Sequence, residues 1–314
     1  MTPETLATIS FILCLVLLVG FILQYKQVSR IRSRVRRSMQ IGPEAHLRLQ
    51  RQLYDRIAQQ DCKARGFTPV LPAEFRSEWG EDTLLYDLFA GQETGIYIEA
   101  GALDGKDNSV TWIFEAIGWT GLLVEPTPSR LEDCKRFRPG STVVHAALDS
   151  KETDGTTTFM VPKDPDHQFS AHRAEHSSKE VREGLDNAGA QLDPVQVPLT
   201  TLTAALDKAG FDHVDFAVID VEGFEADVLK GFDLARFKPR VLVVEDLSFS
   251  KTDPLEPILK PAGYKQVMWI GANRVYLRSD DERMIERAAR LAETVYSPLV
   301  RPKGHPDRAP HNVS

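Results

Sequence analysis

The sequence predicts an α/β fold. An open, mostly parallel sheet is covered by helices on both faces, ends in an antiparallel hairpin, and follows an N-terminal membrane-spanning helix. Three observations predict it. Short apolar runs and helical stripes alternate from residue 78 to residue 245, and strands buried on both faces read as continuous apolar runs. Two further runs, Tyr264 to Ile270 and Arg274 to Leu277, are separated only by Gly271-Ala272-Asn273, which is hairpin spacing. Leu6 to Leu23 is an uncharged stretch of 18 residues, about 27 Å long as a helix and enough to cross a hydrocarbon core.

The arm sets the topology. Lys26, Arg30, Arg32, Arg34, Arg36 and Arg37 follow the apolar run with no acid among them, so the positive-inside rule keeps the C-terminal side in the cytoplasm. A cleaved signal peptide would need a basic region before the run and a small-residue cleavage site, and neither is present. Residues 1–25 are therefore read as an anchor, with membrane as a partner, and residues 26–77 as a basic juxtamembrane segment and helical spacer. The stripe Leu47, Leu49, Leu53, Ile57 and Ala58 predicts a helix over 44–65 stopped by Gly66. Residues 1–78 carry 12 Lys/Arg against 6 Asp/Glu, a net of +6, which leaves −13 for the rest of a chain whose total is −7. An acidic body excludes nucleic acid as a partner, because phosphate binding needs clustered Lys/Arg. The three cysteines, Cys14, Cys62 and Cys134, have no paired spacing, which excludes a disulfide framework and suits a reducing compartment.

In the body, 78–280, the elements follow in order: helix 81–91, strand 95–100, helix 108–117, strand 120–126, Ser-capped helix 129–137, strand 141–147, helix 199–209, strand 214–220, helix 222–231, strand 240–245 and the hairpin. Residues 150–196 have no pattern and read as a lid, a binding loop or disorder. They hold His167, His172 and His176 together with Arg173. His172 and His176 lie four apart, which one helical face could present, and His167 and His172 are acceptor-side candidates. Residues 281–314 read as a surface helix, 281–295, and a disordered tail with three prolines in its last fourteen residues.

The chemistry sits at strand ends. The first strand runs into Glu99-Ala100-Gly101-Ala102-Leu103-Asp104-Gly105, a Gly-rich turn at which backbone N–H groups can converge on a ligand. Its spacing is E-x-G-x-x-x-G, so the dinucleotide fingerprint G-x-G-x-x-G fails; that failure and the hairpin disfavour an NAD-linked oxidoreductase. Glu125 ends the second strand and can accept both hydroxyls of an adenosine ribose. Glu99, Glu125 and Asp220 all fall at the carboxyl edge, where open sheets bind ligands. Such acids can also hold a divalent metal, but one strand-end trio does not establish coordination, and no metal ligand is assigned.

The stretches EWGEDTLLYDLF, YIEAGALDGKDNS, TGLLVEPTPSR, VVHAAL, VPLTTL and, most specifically, FAVIDVEGFEADVLKGFD followed by VLVVE resemble the FkbM family of S-adenosylmethionine-dependent methyltransferases over residues 78–278. The Gly-Leu-Leu-Val-Glu-Pro strand is similar to the family's Star-like subgroup. The resemblance implies a class I methyltransferase, Rossmann-like sheet and S-adenosylmethionine as cofactor. It implies that Glu99, Gly101, Ala102, Asp104 and Gly105 shape the methionine end of the pocket. Asn108 and Ser109 would lie near the carboxylate, Glu125 would hold the ribose, and Ala147, Leu148 and Asp149 would flank the adenine. Asp220 would lie beside the sulfonium and Glu222 with Gly223 beneath the acceptor, which makes Asp220 and Glu222 the candidate general bases, with Glu245-Asp246 next. Two positions depart from the family pattern: Val218, where many members carry Lys, and Phe224, where many carry a small residue.

These readings lead to an anchored, cytoplasm-facing methyltransferase acting on a hydroxyl of a sugar, glycolipid or small metabolite. Val218 and Phe224 favour a second reading, a non-catalytic anchored scaffold that binds a protein partner.

Overall fold

The computed structural model describes residues 43–164, 171–174, 185, 189–248, 250 and 252–294. The apolar run Leu6 to Leu23, its basic flank, His167, His176 and the C-terminal tail lie outside the described residues. Among the described residues no helix is long and apolar enough to cross a membrane. The chain divides into two units, Met1–His46 and Leu47–Ser314, and the sheet lies in the second.

Helices α1 (Pro43–Ala64) and α2 (Glu81–Leu88) precede β1 (Ile96–Ala100), α3 (Trp112–Ala116), β2 (Thr120–Glu125), α4 (Pro128–Phe137) and β3 (Thr142–His145). Strands β4 (Ala147–Leu148), β5 (Thr156–Pro162), β6 (His172–Arg173) and β7 (Leu192–Thr200) come next. After them run α5 (Leu202–Ala209), β8 (Phe216–Ile219), α6 (Glu225–Lys230), α7 (Leu234–Phe237) and β9 (Val241–Glu245). The chain closes with α8 (Glu256–Leu259), β10 (Tyr264–Ile270), β11 (Asn273–Arg278) and α9 (Glu282–Thr294).

Seven strands form the main sheet in the order β10-β11-β9-β8-β1-β2-β3. The pairs β1–β2, β2–β3, β1–β8 and β8–β9 are parallel, and β11 runs antiparallel to both neighbours. The predicted hairpin thus inserts its second strand between β9 and β10. Side chains alternate faces along each strand. Tyr97, Leu123, Phe216, Val218, Val241 and Val243 join one core cluster, which α1, α2, α3 and α9 cover. Ile98, Leu122, Ala217, Ile219, Leu242 and Val244 join the other, beneath α5, α6, α7 and α8. Strand order reverses between β1 and β8, and a ligand crevice opens at such a switch point.

Several expectations need correction. Residues 150–196 are not without pattern, because β5 and most of β7 lie there and pair antiparallel from Thr156–Pro198 to Pro162–Leu192. Pro162, Pro194 and Pro198 break the apolar alternation and hid the strands. In β7 the Leu199 N–H donates to Gly155 O at 2.9 Å, so Pro194 and Pro198, of opposite parity, turn their missing N–H groups away from β5. The strand expected over 141–147 stops at His145, and Ala147–Leu148 leaves to pair with Leu199–Thr200 in a second sheet, β4-β7-β5-β6. Helix α5 begins after Thr201, whose side chain caps Ala204 N, because residues up to Thr200 are extended. Helix α4 starts at Pro128, not at a Ser cap. His172 lies in a strand, so it shares no helical face with His176.

Helix α1 matches the expected spacer in extent, but it packs into the body. Tyr54, Ala58 and Cys62 are buried in the core. Gln50 donates to Thr83 at 2.8 Å, Asp55 accepts from Phe75 N at 2.8 Å, and Arg65 donates to Ile117 O at 2.8 Å.

Candidate functional site

Three short connections, those after β1, β2 and β8, meet at the carboxyl edge of the sheet. After β1 the chain turns at Gly101, whose φ is +83° and where a Cβ would lie 1.7 Å from the Asp220 carbonyl oxygen. Only glycine allows that approach. It lets the turns after β1 and β8 close on each other, with Asp220 N donating to Ala100 O at 3.0 Å. Gly101 N and Ala102 N both donate to Val124 O. Leu103 N and Thr127 N donate to opposite oxygens of Glu125 at 2.9 and 2.7 Å.

The Glu99 carboxylate accepts from Ser109 Oγ at 2.8 Å, Val110 N at 2.7 Å and Thr111 Oγ1 at 2.6 Å. It therefore fixes the turn that leads into α3, although it also borders the cavity. Arg138, fully buried, ties the same region together. It donates to Glu115 at 2.8 Å, to Gly105 O at 3.0 Å and to Tyr97 Oη at 2.9 Å, and it pairs with Glu99 at 3.4 Å.

These turns surround a cavity of about 760 Å³, within the range of small-molecule and cofactor sites. Of the residues singled out from sequence, Glu99, Gly101, Ala102, Asn108, Ser109, Glu125, Ala147, Leu148, Asp220 and Glu222 border it. Asp104, Gly105 and Asp149 do not. Asp104 Oδ1 caps Lys106 N and Asp107 N at 2.9 and 2.7 Å, and Gly105 lies against Arg138. Asp149 pairs with Arg173 at 2.8 Å. His172 is buried beside Arg173 and is not a wall residue.

The wall divides along the strand order. Over β1, β2 and β4 it offers Glu125 and small apolar residues, Ala102, Ala146 and Ala147. Over β8, β9 and β11 it is acidic, with Asp220, Glu222 and Glu245, joined by Glu78 and Trp79 from the segment before α2 and by Glu81 at its first position. Burial pushes Glu125 up to about 7 and Glu222 up to about 8. Asp220 and Glu245 are hydrogen-bonded to each other. Burial raises both, Asp220 to about 6 and Glu245 well above its ordinary value. The two carboxyls therefore titrate as a coupled pair, and the hydrogen bond between them favours ionisation of Asp220 over Glu245. Glu222 (φ +57°) and Gly223 (φ +102°) are left-handed, so α6 starts only at Glu225, and Glu222 belongs to the strand-end turn instead of the helix.

Sequence reasoning missed Trp79, Asn273, Glu78, Glu81 and the roles of Arg173 and Phe224. Arg173 lies 4.1 Å over the Phe224 ring and donates to Leu148 O at 2.5 Å. The unusual Phe224 is thus the floor for a buried cation. Only the departure at position 224 could have signalled this, because Arg173 arrives from a distant strand. Among the described residues no group of three or more His, Cys, Asp or Glu side chains could hold a metal ion.

The donor set suits S-adenosylmethionine. Each Glu125 oxygen accepts one backbone N–H and keeps lone pairs for a ribose diol, and Ala102, Ala146 and Ala147 add small apolar wall of the kind a purine ring packs against.

The family profile described as "Methyltransferase FkbM domain" matches residues 99–265, just over half of the chain. No curated protein matches the chain. Among solved structures the chain is similar to a TehB-like SAM-dependent methyltransferase from Corynebacterium glutamicum (11% identity, 72% of this chain and 97% of that one, TM-score 0.36). It is also similar to a methyltransferase from Geobacter sulfurreducens (12% identity, 80% and 96%, TM-score 0.35) and to a SAM-dependent methyltransferase from Aquifex aeolicus (10% identity, 63% and 89%, TM-score 0.33). By the match over residues 99–265 the chain belongs to the FkbM methyltransferase family and is an S-adenosylmethionine-dependent methyltransferase.

Proposed function

We propose that the enzyme O-methylates a hydroxyl group on a sugar, glycolipid or other small metabolite. The observation that carries this reading is the Asp220–Glu245 carboxyl pair, which borders the cavity next to the Gly101 turn. Bound S-adenosylmethionine supplies a methyl group on a positively charged sulfur. Transfer is an in-line displacement, so the protein contributes chiefly by positioning the acceptor oxygen. Asp220 accepts the hydroxyl proton as that oxygen attacks, and its hydrogen bond to Glu245 favours the ionised form that can do so. Glu222, beside the pair, is the second candidate base.

Charge favours a neutral or cationic acceptor over an anionic one. Arg173 is the one basic residue among the described wall residues, and its guanidinium is engaged by Asp149 and Leu148 O. A phosphate or carboxylate on the acceptor would face acids without a free counter-charge.

Transfer of a labelled methyl group from S-adenosylmethionine into a polar cell extract tests this. Asp220→Asn is expected to lose about 100-fold or more in turnover while its cofactor affinity stays within about threefold, no more than a weak hydrogen bond's worth. Undiminished turnover in that variant would remove Asp220 from the chemistry. Cofactor binding without turnover in the unmodified protein would favour the scaffold reading instead.

We further propose that Leu6 to Leu23 anchors the enzyme with its body in the cytoplasm, on the basic flank that follows the run. Protease added to sealed cytoplasmic-membrane vesicles should spare a C-terminal epitope when the cytoplasmic face is inside. Cleavage there would reverse the topology.

A further inference from the structure

Trp79 differs from the other three tryptophans. Trp112, Trp119 and Trp269 are buried, whereas Trp79 is half-buried and borders the cavity. Its position is fixed from two directions. The turn between β10 and β11 brings Gly271 (φ +55°) against the indole, where a Cβ would stand 2.1 Å from Cγ. Any larger residue there would displace the ring. Glu81 then joins the two segments, because one of its oxygens accepts from Trp79 N at 3.0 Å and the other from Asn273 Nδ2 at 2.7 Å. The indole Nε1 makes no hydrogen bond among the described residues.

The ring therefore stands as a rigid, flat, apolar surface backed by glycine, on the same half of the cavity as Asp220, Glu222 and Glu245. That combination matches a pyranose, whose C–H face packs on an aromatic ring while its hydroxyls donate to acceptors around the edge. A π face carries partial negative charge and attracts weakly positive hydrogens. An open-chain polyol has no such face, and a phenol has few hydroxyls to offer the surrounding carboxylates.

We propose that Trp79 is the platform on which the ring of a pyranoside acceptor stacks, and that Gly271 and Glu81 are positioning residues for it. This rests on the methyl-transfer reading of the cavity, and it names the acceptor class and the residue that selects it.

The test uses the full-length protein in lipid nanodiscs, saturated with S-adenosylhomocysteine, whose binding is measured separately by calorimetry. Saturation-transfer NMR is recorded with methyl glycosides of glucose, galactose, mannose, fucose and rhamnose, with sorbitol and catechol as contrasts. At least one methyl pyranoside is expected to receive saturation, strongest on its ring C–H protons, while sorbitol does not. Trp79→Ala should weaken that binding about tenfold and Trp79→Phe by about threefold or less, the range of one aromatic contact. S-adenosylhomocysteine affinity should be unchanged in both, which also reports that they fold. The proposal is overturned if Trp79→Ala binds the pyranoside as well as the unmodified protein, if sorbitol or catechol alone is bound, or if no pyranoside is bound by protein that holds S-adenosylhomocysteine. Failure to bind S-adenosylhomocysteine would instead overturn the reading on which the proposal rests.

Discussion

In the proposed reaction Asp220 is the residue on which the chemistry turns, and its neighbours decide when it can act. Burial raises its carboxyl to about 6, and its hydrogen bond to Glu245 opposes that rise. A general base must be deprotonated. Its contribution is therefore absent below that value and grows as pH rises through it, so kcat/KM for methyl transfer should climb across about pH 6. The climb should vanish in Asp220→Asn, which cannot titrate. A pH–rate profile of both proteins reads this directly, and an unchanged profile in the variant would assign the step to another group. Glu222, raised to about 8, predicts a further change at higher pH as a second negative charge forms beside the first. None of this coupling was legible in the sequence, because Asp220 and Glu245 lie on different strands that become neighbours only through the sheet order.

The elements that hold these residues were largely legible, and the misses share a cause. Strands β1, β2, β8 and β9 are buried on both faces, so each is an unbroken apolar run that composition reveals. Strands β5 and β7 are marked by threonine, proline and polar residues, because they form a small side sheet with exposed edges. Their pattern resembles that of a loop. The role of α1 was misjudged for a related reason: its helical stripe was visible, but nothing local says whether a stripe faces a partner, a lipid surface or its own body. Arg138 shows the limit most clearly. It follows α4 as one basic residue among several, yet it bridges β1, α3 and the Gly105 turn through Tyr97, Glu99, Glu115 and the Gly105 carbonyl. Removing one partner of a buried ion network leaves the others uncompensated, at a cost of about 3–5 kcal/mol. Arg138→Met should lower stability by about that amount in urea unfolding, far more than Arg136→Met. Arg136, an exposed residue, makes an i,i+3 pair with Asp133 and lies over the Phe137 ring, surface contacts that are worth little by comparison. Equal effects from the two would show that the network is dispensable.

At the scale of the molecule, the carboxyl edge of the main sheet and the adjoining side sheet together wall the cavity that is proposed to hold cofactor and acceptor. The wall spans the ends of strands from β11 to β4, with the small apolar and Glu125-bearing half on one side of the switch point and the acid-rich half on the other. The net charge of −13 outside the arm is thus partly a property of the site. Carboxylates that would repel a nucleic acid or a phosphorylated substrate suit a cofactor with a cationic sulfur and an acceptor rich in hydroxyl donors. The central claim is that S-adenosylmethionine binds where the turns after β1, β2 and β8 meet. Calorimetric titration of the full-length protein with S-adenosylmethionine tests it most directly. The expected result is saturable binding, weakened about tenfold or more in Glu125→Ala by loss of charge-assisted hydrogen bonds to the ribose and abolished in Gly101→Asp, where no side chain fits beside the Asp220 carbonyl. No binding to the unmodified protein, or binding undiminished in both variants, would contradict it.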